Sequence, residues 1–228
     1  MVVNLLHLLF PQECLLCGKT GKWLCFACRA KLSLAQNQIC PVCLRSSLTG
    51  MTHFGCQKKN SLNGLYSPFA YRKEVKKLIG SFKFQMVKSL ADTMADLLLV
   101  ELKKNNNLIS FWRKNKFILT PLPLHPIREK WRGFNQSLLI EEGLAKSFNL
   151  SNSSSFLKRV VFAFPQVGLD KKTRQKNIKN QFLASPAVKN KNIIIFDDVW
   201  TTGATLKEAG KELKRQGAKS VWGLTFCR

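Results

Sequence analysis

A short stretch near the C-terminus constrains the fold more than any other part of the chain. Ile193 to Phe196 form a continuous apolar run, and two adjacent acids, Asp197 and Asp198, follow it. Next come the loop Thr201–Thr205 and a segment with helical apolar spacing. An uninterrupted apolar strand is typical of the middle of a parallel sheet that is covered on both faces. The stretch therefore predicts an α/β fold with this strand at the centre of the sheet.

The same loop and the two acids predict a site for a phosphorylated ribose. Three hydroxyls, successive backbone amides and a helix N-terminus meet in one loop, which suits a phosphate dianion. Thr205 and Glu208 have the spacing of a capping box, which predicts that the helix starts at Thr205. The Asp197 and Asp198 carboxylates would accept hydrogen bonds from vicinal hydroxyls at the strand end where open α/β sheets bind ligands. The chain has neither a Walker A motif nor a G-x-G-x-x-G motif, which argues against nucleoside triphosphatases and dinucleotide enzymes.

Seven of the eight cysteines lie between positions 14 and 56, in closely spaced pairs. The first two pairs read C-x2-C-x7-C-x2-C, and the next two read C-x2-C-x9-H-x2-C. A two-residue gap lets both ligands of a tight turn reach one zinc ion, and two turns complete a closed tetrahedral site. The spacing therefore predicts two structural Zn²⁺ ions. The predicted ligands are Cys14, Cys17, Cys25, Cys28, Cys40, Cys43, His53 and Cys56.

Ligand spacing alone leaves the pairing of these ligands open. We expect consecutive pairs to share an ion, but a crossed arrangement would join the first pair to the third and the second to the fourth. A single histidine is often a surface residue, although the two-residue spacing from His53 to Cys56 favours ligation. A lobe this small buries little apolar surface, so metal binding would supply its folding energy. Cys227 has no partner nearby and is expected to be inert in a terminal strand.

The N-terminal residues 2–10 are mostly apolar and end at Pro11. This run is shorter than the roughly 20 residues of a membrane-spanning helix. It also lacks the basic start and the cleavage site of a secretory signal. We therefore expect a short helix packed on the protein, no transmembrane segment and a cytoplasmic location. In that compartment thiols stay reduced, so clustered cysteines bind metal rather than form disulfides.

The chain is strongly basic, with 37 Lys and Arg against 13 Asp and Glu and a net charge of +24 at pH 7. The net charge is +6 in residues 1–60, +7 in 61–118, +8 in 119–190 and +3 in 191–228. A basic tail on a neutral domain therefore does not explain the total. Distributed Lys and Arg favour contact with nucleic acid over an anionic membrane, and a solvated lysine-rich surface is the alternative.

Within the cysteine-rich lobe, basic and aromatic side chains suit nucleic acid, although Trp23 also fits a small core. They are Lys19, Lys22, Trp23, Arg29 and Lys31.

Apolar spacing predicts further elements around the central strand. Residues 90–102 have the spacing of a core helix, and 117–120 form a short apolar strand stopped by prolines. Asn135 precedes a third helical pattern and is placed to cap it. Gly133 is expected to allow a close approach of the backbone to a ligand.

The stretch from the apolar strand to Thr205 resembles the phosphoribosyl pyrophosphate (PRPP) motif of type I phosphoribosyltransferases. The resemblance implies a parallel sheet flanked by helices, in which Asp197 and Asp198 hold the ribose hydroxyls of PRPP bound with Mg²⁺. It also implies that a loop holds the 5′-phosphate. That loop consists of Thr201, Thr202, Gly203, Ala204 and Thr205. Trp200 departs from the pattern, which has a small or aliphatic residue there.

Other segments are similar to the ComF family of competence proteins, and the resemblance covers essentially the whole chain. The segments are Thr120–Pro126, Arg132–Gln136, Pro165–Leu169, Arg174 and Asn177 ahead of Phe182, Leu78-x4-Lys83 after Tyr71, and the cysteine-rich lobe. The resemblance implies an N-terminal helix with a double zinc-ribbon lobe in 1–60 and a phosphoribosyltransferase-like domain in 61–228. It assigns pyrophosphate to the loop after the first core strand and to a mobile loop at 168–177. The residues concerned are Thr120, Pro121, Leu122, Arg132, Lys171, Lys172 and Arg174. His53 stands where the family usually has cysteine.

Three functions agree with the sequence. The family resemblance implies a protein that handles single-stranded DNA in natural transformation, with DNA-uptake proteins as partners that would bring it to the inner face of the membrane. The second function is an active phosphoribosyltransferase with an unidentified acceptor, and the third is a PRPP-sensing module. Val2 follows Met1, whereas a glutaminase of this class needs a cysteine there. No residue stands out as a general base for an acceptor, which weakens the enzyme interpretation.

Overall fold

The computed structural model describes residues 12–84, 89–160 and 180–228. Its strands are β1 (Gly64–Tyr66), β2 (Phe117–Pro121), β3 (Ser151–Asn152), β4 (Leu157–Arg159), β5 (Phe182–Ala184), β6 (Asn192–Val199) and β7 (Ser220–Cys227). Five of them form one sheet in the order β1-β7-β6-β2-β3, and every neighbouring pair is parallel. β4 and β5 form a separate antiparallel pair. The predicted strand, β6, lies in the middle of the sheet.

Helices cover both faces of this sheet. The helices of the described residues are α1 (Phe26–Arg29) in the cysteine-rich lobe, α2 (Lys73–Phe84), α3 (Leu90–Lys103), α4 (Asn106–Lys114), α5 (Pro126–Arg132), α6 (Gln136–Phe148) and α7 (Ala204–Arg215). Three short 3₁₀ turns lie at Phe54–Cys56, Ser154–Phe156 and Pro186–Val188. The predicted fold class, a parallel sheet flanked by helices with a cysteine-rich lobe before it, is confirmed.

The apolar run of β6 divides its side chains between two cores. Ile194 and Phe196 pack in a cluster with residues of α2, α3 and α6. Ile193 and Ile195 pack in a second cluster with residues of α7. All four are fully buried. Alternate residues of a strand point to opposite faces, so a strand covered on both sides needs an unbroken apolar sequence.

Several predicted boundaries agree with the structure. The core helix predicted at 90–102 is α3, and the short strand at 117–120 is β2. Asn135 caps α6 as expected, because its Oδ1 accepts the N–H of Ser137 at 3.0 Å. Cys227 is buried in the terminal strand β7.

The predicted capping box at Thr205 is wrong. α7 begins at Ala204, and its N-cap is Gly203, which has φ 71° and makes no side-chain capping hydrogen bond. Glu208 instead accepts the backbone N–H of Asn180 at 2.9 Å. A left-handed glycine turns the chain directly into the helix, so Thr205 already lies in the first turn.

The close approach of the backbone to a ligand at Gly133 stays a prediction, and no protein atom of the described residues makes such an approach there. A Cβ atom added there would meet no atom within 4 Å. Gly133 ends α5 in the left-handed region with φ 71°, so its role is to terminate the helix.

The cysteine-rich lobe is joined to the sheet by backbone pairing. Met51 pairs with Gly64 of β1, and Leu34 pairs with Phe69. Leu24 and Leu32 belong to the same apolar cluster as the helices on that face of the sheet. Apolar packing is therefore continuous between the lobe and the sheet, while the boundary at residues 60 and 61 stays a prediction.

Some predictions lie outside the described residues. They concern the N-terminal helix at 2–10, the segment Pro165–Leu169, and the mobile loop at 168–177 with Lys171, Lys172 and Arg174. Within the three described ranges, no helix is both long and apolar enough to cross a membrane.

Candidate functional site

The two acids lie together at the carboxyl end of β6. Asp198 is 7% exposed, and its Oδ2 lies 2.8 Å from Nζ of Lys83. Asp197 turns back towards the backbone, so that its Oδ1 accepts the N–H of Asp198 at 2.8 Å. The hydroxyl of Ser137 donates to the same oxygen at 3.5 Å. The pair therefore contacts both α2 and α6.

Burial and mutual repulsion raise the pKa of Asp197. Desolvation is the largest cause and the negative charge of Asp198 the next, and together they raise the pKa to about 7. Lys83, the Asp198 N–H and Arg159 act in the opposite direction. A nearby cation or hydroxyl donor favours the charged form of a carboxylate. A ligand with such groups would therefore lower the pKa of Asp197. The acid pair is suited to a polyhydroxyl ligand with a bound cation.

The predicted phosphate loop lies directly beside the acids. A cleft of about 20 Å³ is lined by Asp197, Val199, Thr201 and the residues 203–206. Thr201 and Thr202 are exposed, whereas Gly203 is buried. The first turn of a helix leaves backbone N–H groups without partners inside the helix. The loop therefore presents hydroxyls and the amino end of α7 next to the two carboxylates.

Trp200 lies beneath this loop rather than in the cleft. It is 3% exposed and packs in the apolar cluster on the α7 face. A Cβ atom on Gly203 would lie 2.1 Å from the Trp200 ring, so the ring and the loop backbone are closely packed. The Lys207 ammonium lies 5.3 Å from the centre of the ring. The bulky residue at this position therefore supports the loop from the core side.

The loop after β2 reaches the same edge of the sheet, because Pro121 pairs with Phe196. The side chain of Thr120 is buried, and its hydroxyl donates to the carbonyl of Ser153 at 2.7 Å. The Leu122 N–H donates to the carbonyl of Phe196 at 2.8 Å. Nδ2 of Asn135 donates to the Leu122 carbonyl at 3.3 Å. The structure thus places this loop beside the acids, with these groups already hydrogen-bonded within the protein.

The metal ligands form two quartets of consecutive pairs. Within each quartet the ligand atoms lie within 4.8 Å of one another. The quartets are Cys14, Cys17, Cys25, Cys28 and Cys40, Cys43, His53, Cys56. The Sγ atoms of Cys17 and Cys25 are 3.7 Å apart, close to the ~3.8 Å between ligands around a tetrahedral Zn²⁺ with bonds of about 2.3 Å. Consecutive pairing therefore fits two structural zinc ions, and the crossed arrangement does not occur.

His53 has the geometry of a ligand. Its Nδ1 lies 3.4 Å from Sγ of Cys43, and its Nε2 lies 3.0 Å from the carbonyl of Ser46. A hydrogen bond at the far nitrogen fixes the ring orientation, as is usual for metal-bound histidine. Hydrogen bonds from Arg45, its backbone N–H first, lower the pKa of Cys43 to about 6, which favours the thiolate that binds metal. With four protein ligands in each quartet, no position is left open for catalytic water.

Comparison with protein-family models agrees with both parts of this description. A model described as the double zinc ribbon domain matches residues 5–57. A model described as the phosphoribosyl transferase domain matches residues 139–228, which include the acid pair and its loop.

Relatives of known name match along nearly the whole chain. Competence protein F of Haemophilus influenzae is 30% identical over 223 residues, covering 88% of this chain and 95% of the relative. The chain belongs to the ComF family. The DNA utilization protein YhgH of Escherichia coli K12 is 30% identical over 222 residues, covering 90% of this ComF chain and 96% of the relative. Competence protein ComFC of Bacillus subtilis is 28% identical over 229 residues, covering 92% of this chain and 86% of the relative.

The zinc-lobe residues that sequence analysis assigned to nucleic acid are divided by the structure of this ComF protein. Lys19, Lys22 and Lys31 are exposed. Nε1 of Trp23 donates to Oγ of Ser89 at 2.9 Å, and an Arg29 nitrogen donates to the Asp96 carbonyl at 3.4 Å. Trp23 and Arg29 therefore contact the region of α3, and the core interpretation of Trp23 is favoured.

Two exposed aromatic side chains of the zinc lobe were not predicted. Phe26 and Phe54 are 88% and 92% exposed. Each follows the third ligand of its quartet directly, so the two zinc ribbons of the ComF chain present equivalent phenylalanines to solvent. The repeated position after the third ligand was the sequence signal that could have identified them.

Sequence reasoning also missed side chains that act on the acid pair: Lys83 and Ser137 contact it, and the charge of Arg159 lowers the pKa of Asp197. Lys83 appeared only as part of the family resemblance, and Ser137 and Arg159 were not assigned. Lys83 ends an amphipathic helix, Ser137 follows a helix cap, and Arg159 lies in β4. None of these positions has a local pattern that points to Asp197 or Asp198, because only the packing of the ComF fold brings them together.

Proposed function

We propose that this protein binds PRPP with Mg²⁺ and handles single-stranded DNA during natural transformation. One observation supports the PRPP part above all others. Asp197 lines one cleft with residues of the Thr201–Thr205 loop, and Asp198 follows it directly at the end of the central strand. A ribose phosphate needs acceptors for two hydroxyls beside a donor-rich pocket for its phosphate, and this edge of the sheet offers both.

Each part of PRPP has a place in the proposal. Asp197 and Asp198 accept the ribose hydroxyls, and the loop with the amino end of α7 binds the 5′-phosphate. The pyrophosphate lies towards Thr120–Leu122, with Arg132 and the lysines and arginine at 171, 172 and 174 as its cationic contacts. Mg²⁺ neutralises part of the pyrophosphate charge, and the carboxylates are the oxygen ligands that this ion prefers.

The DNA part of the proposal is supported by charge and by the relatives. The net charge of +24 is spread over the whole chain, and +6 of it lies in residues 1–60, apart from the proposed PRPP site. Two relatives are named for competence and one for DNA utilization. The exposed rings of Phe26 and Phe54 offer faces on which unpaired bases stack. DNA-uptake proteins are the partners that this role implies.

Calorimetric titration with Mg·PRPP tests the first part. Wild-type protein should give a binding isotherm, and Asp197→Asn combined with Asp198→Asn should abolish it. The matched control is Asp92→Asn with Asp96→Asn, which removes the same charge from exposed positions on α3. Absence of binding by the wild type would refute the PRPP site, as would equal loss in both double variants.

Titration of single-stranded DNA with and without PRPP tests both parts and their coupling. The logarithm of DNA affinity should fall linearly with the logarithm of salt concentration, with a slope that corresponds to several phosphate contacts. A change in DNA affinity on adding PRPP would favour a sensing role, since coupling between two ligands is reciprocal. Release of pyrophosphate with a candidate acceptor would favour phosphoribosyl transfer instead. No DNA binding at low salt would refute the DNA part.

A further inference from the structure

A groove of about 430 Å³ lies between the second zinc quartet and α7. One wall is formed by Pro41 and Val42, the two residues between Cys40 and Cys43. Ala204 lines both this groove and the cleft of the phosphate loop, so the two sites adjoin. Small-ligand sites have volumes of roughly 300–1,000 Å³. The groove is therefore large enough for a ligand of its own.

Three lysines line this groove. Lys58 comes from the zinc lobe, and Lys207 and Lys211 come from α7. Across the residues that the structure describes, none of the three forms an ion pair with an acid. Glu208 also lines the groove, but its Oε1 accepts the backbone N–H of Asn180 at 2.9 Å. Lysine charge thus dominates the groove and favours an anionic ligand.

The remaining lining is largely apolar. Pro41 and Leu62 are buried, and they form this surface with Val42 and Ala204. A phosphate alone needs no such surface, and an apolar ring alone needs no lysines. Single-stranded nucleic acid meets both requirements, because its bases pack on exposed apolar or aromatic faces while its backbone follows positive charge.

We propose that the groove binds one nucleotide of single-stranded DNA. The base lies against Val42 and Ala204, the partly exposed apolar residues of this lining, and the flanking phosphates lie between Lys58 on one side and Lys207 and Lys211 on the other. This inference rests on the proposed DNA function and specifies where one contact occurs. A base inside a duplex is paired and stacked, so the groove admits an unpaired base only.

Removal of the groove charge tests this site. The variant is Lys58→Gln, Lys207→Gln and Lys211→Gln together, measured by fluorescence anisotropy with a labelled oligothymidylate of about 20 nucleotides. We expect affinity to fall by about tenfold or more, and the slope of log affinity against log salt to decrease in magnitude by about 1.4, which is about 0.7 for each of the two flanking phosphate contacts. A double variant, Lys58→Gln with Lys211→Gln, leaves the contact of Lys207 with Trp200 intact and should show a smaller loss in the same direction.

The matched control removes three exposed lysines elsewhere: Lys76→Gln, Lys103→Gln and Lys114→Gln. It lowers the net charge equally and should reduce affinity by less than about threefold. If wild-type protein binds DNA and both triple variants lose affinity equally, the groove proposal is wrong while the DNA function stands. If wild-type protein binds no DNA, the proposed function itself fails.

Photo-crosslinking locates the base independently of charge. An oligonucleotide carrying 4-thiothymidine should crosslink to residues 41–62 or 204–211, as identified by mass spectrometry of the peptides. Free thymidine monophosphate should compete only weakly, because it lacks the neighbouring phosphates. Complete loss of the crosslink with micromolar thymidine monophosphate would overturn the assignment to single-stranded DNA. Binding of a duplex with the same affinity as the single strand would overturn it too.

Discussion

Lys83 and Asp198 form an ion pair of 2.8 Å that joins the end of α2 to the end of β6. The same lysine lowers the pKa of Asp197, whose burial and proximity to Asp198 raise it to about 7. The charge of the acid pair near neutral pH therefore depends on a helix that is distant in sequence. Lys83 therefore controls the charge that the acid pair presents to a ligand at this edge of the sheet.

Affinity for Mg·PRPP should increase between about pH 6 and about pH 8, because Asp197 loses its proton in this interval and then accepts hydrogen bonds fully. Lys83→Gln removes the charge that holds the pKa of Asp197 down, so the midpoint of the increase should move to higher pH. Calorimetry across this pH interval measures the midpoint. Lys77→Gln, an exposed change on the same helix, should leave it in place. An unchanged midpoint in Lys83→Gln would contradict the role given to the ion pair.

Metal analysis of purified protein should find about two zinc ions per chain. His53→Ala should reduce the zinc content because it removes one of four ligands from the second quartet, whereas His53→Cys should restore it. Cys227→Ser is the matched control, since Cys227 is buried in β7 and belongs to neither quartet. One zinc ion in the wild type, with the same content in His53→Ala, would show that the second quartet is not a metal site.

Gly203→Ala should reduce the free energy of unfolding by about 1–3 kcal/mol. The residue has φ 71°, and a Cβ atom would lie 2.1 Å from the ring of Trp200. Urea denaturation measures the change. Gly55→Ala, where a Cβ atom meets nothing within 4 Å, should cost much less. Adding Trp200→Leu to Gly203→Ala should recover part of the lost unfolding free energy. If it recovers none, the close packing of the ring against the loop is not the cause of the loss.

Glu141→Gln should stabilise the protein increasingly as the pH rises. Glu141 is fully buried on α6, and burial raises its pKa from 4.5 to about 7. A carboxyl whose pKa is raised by folding favours the folded state less and less as the pH rises from its unfolded to its folded pKa. The difference in unfolding free energy between variant and wild type should therefore grow over that interval, reaching about 1–3 kcal/mol.

Thermal unfolding at several pH values measures this difference. Glu129→Gln, at an exposed position on α5, should stay within about 0.5 kcal/mol of the wild type throughout. A pH-independent effect of Glu141→Gln would show that the side chain is not buried in its neutral form.

Local spacing determined the parts of this protein whose chemistry depends on near neighbours in sequence. A two-residue gap brings two thiolates into one turn, so the zinc ligands were identifiable before the fold. An unbroken apolar run that ends on Asp197 and Asp198 required a central parallel strand, and the loop behind it required a helix N-terminus. In each case the residues that act together are separated by a turn or by one strand end.

Only the tertiary structure decided what depends on packing between distant segments. It selected consecutive pairing of the zinc ligands over crossed pairing, and it placed Lys83 on Asp198. It also moved the start of α7 from the predicted Thr205 to Ala204, because Gly203 turns left-handed over the buried ring of Trp200. The groove between Pro41 and Lys207 exists only because the second zinc quartet lies against α7. Contacts of this kind follow from how the lobe and the helices pack on the sheet, which no spacing within a single segment records.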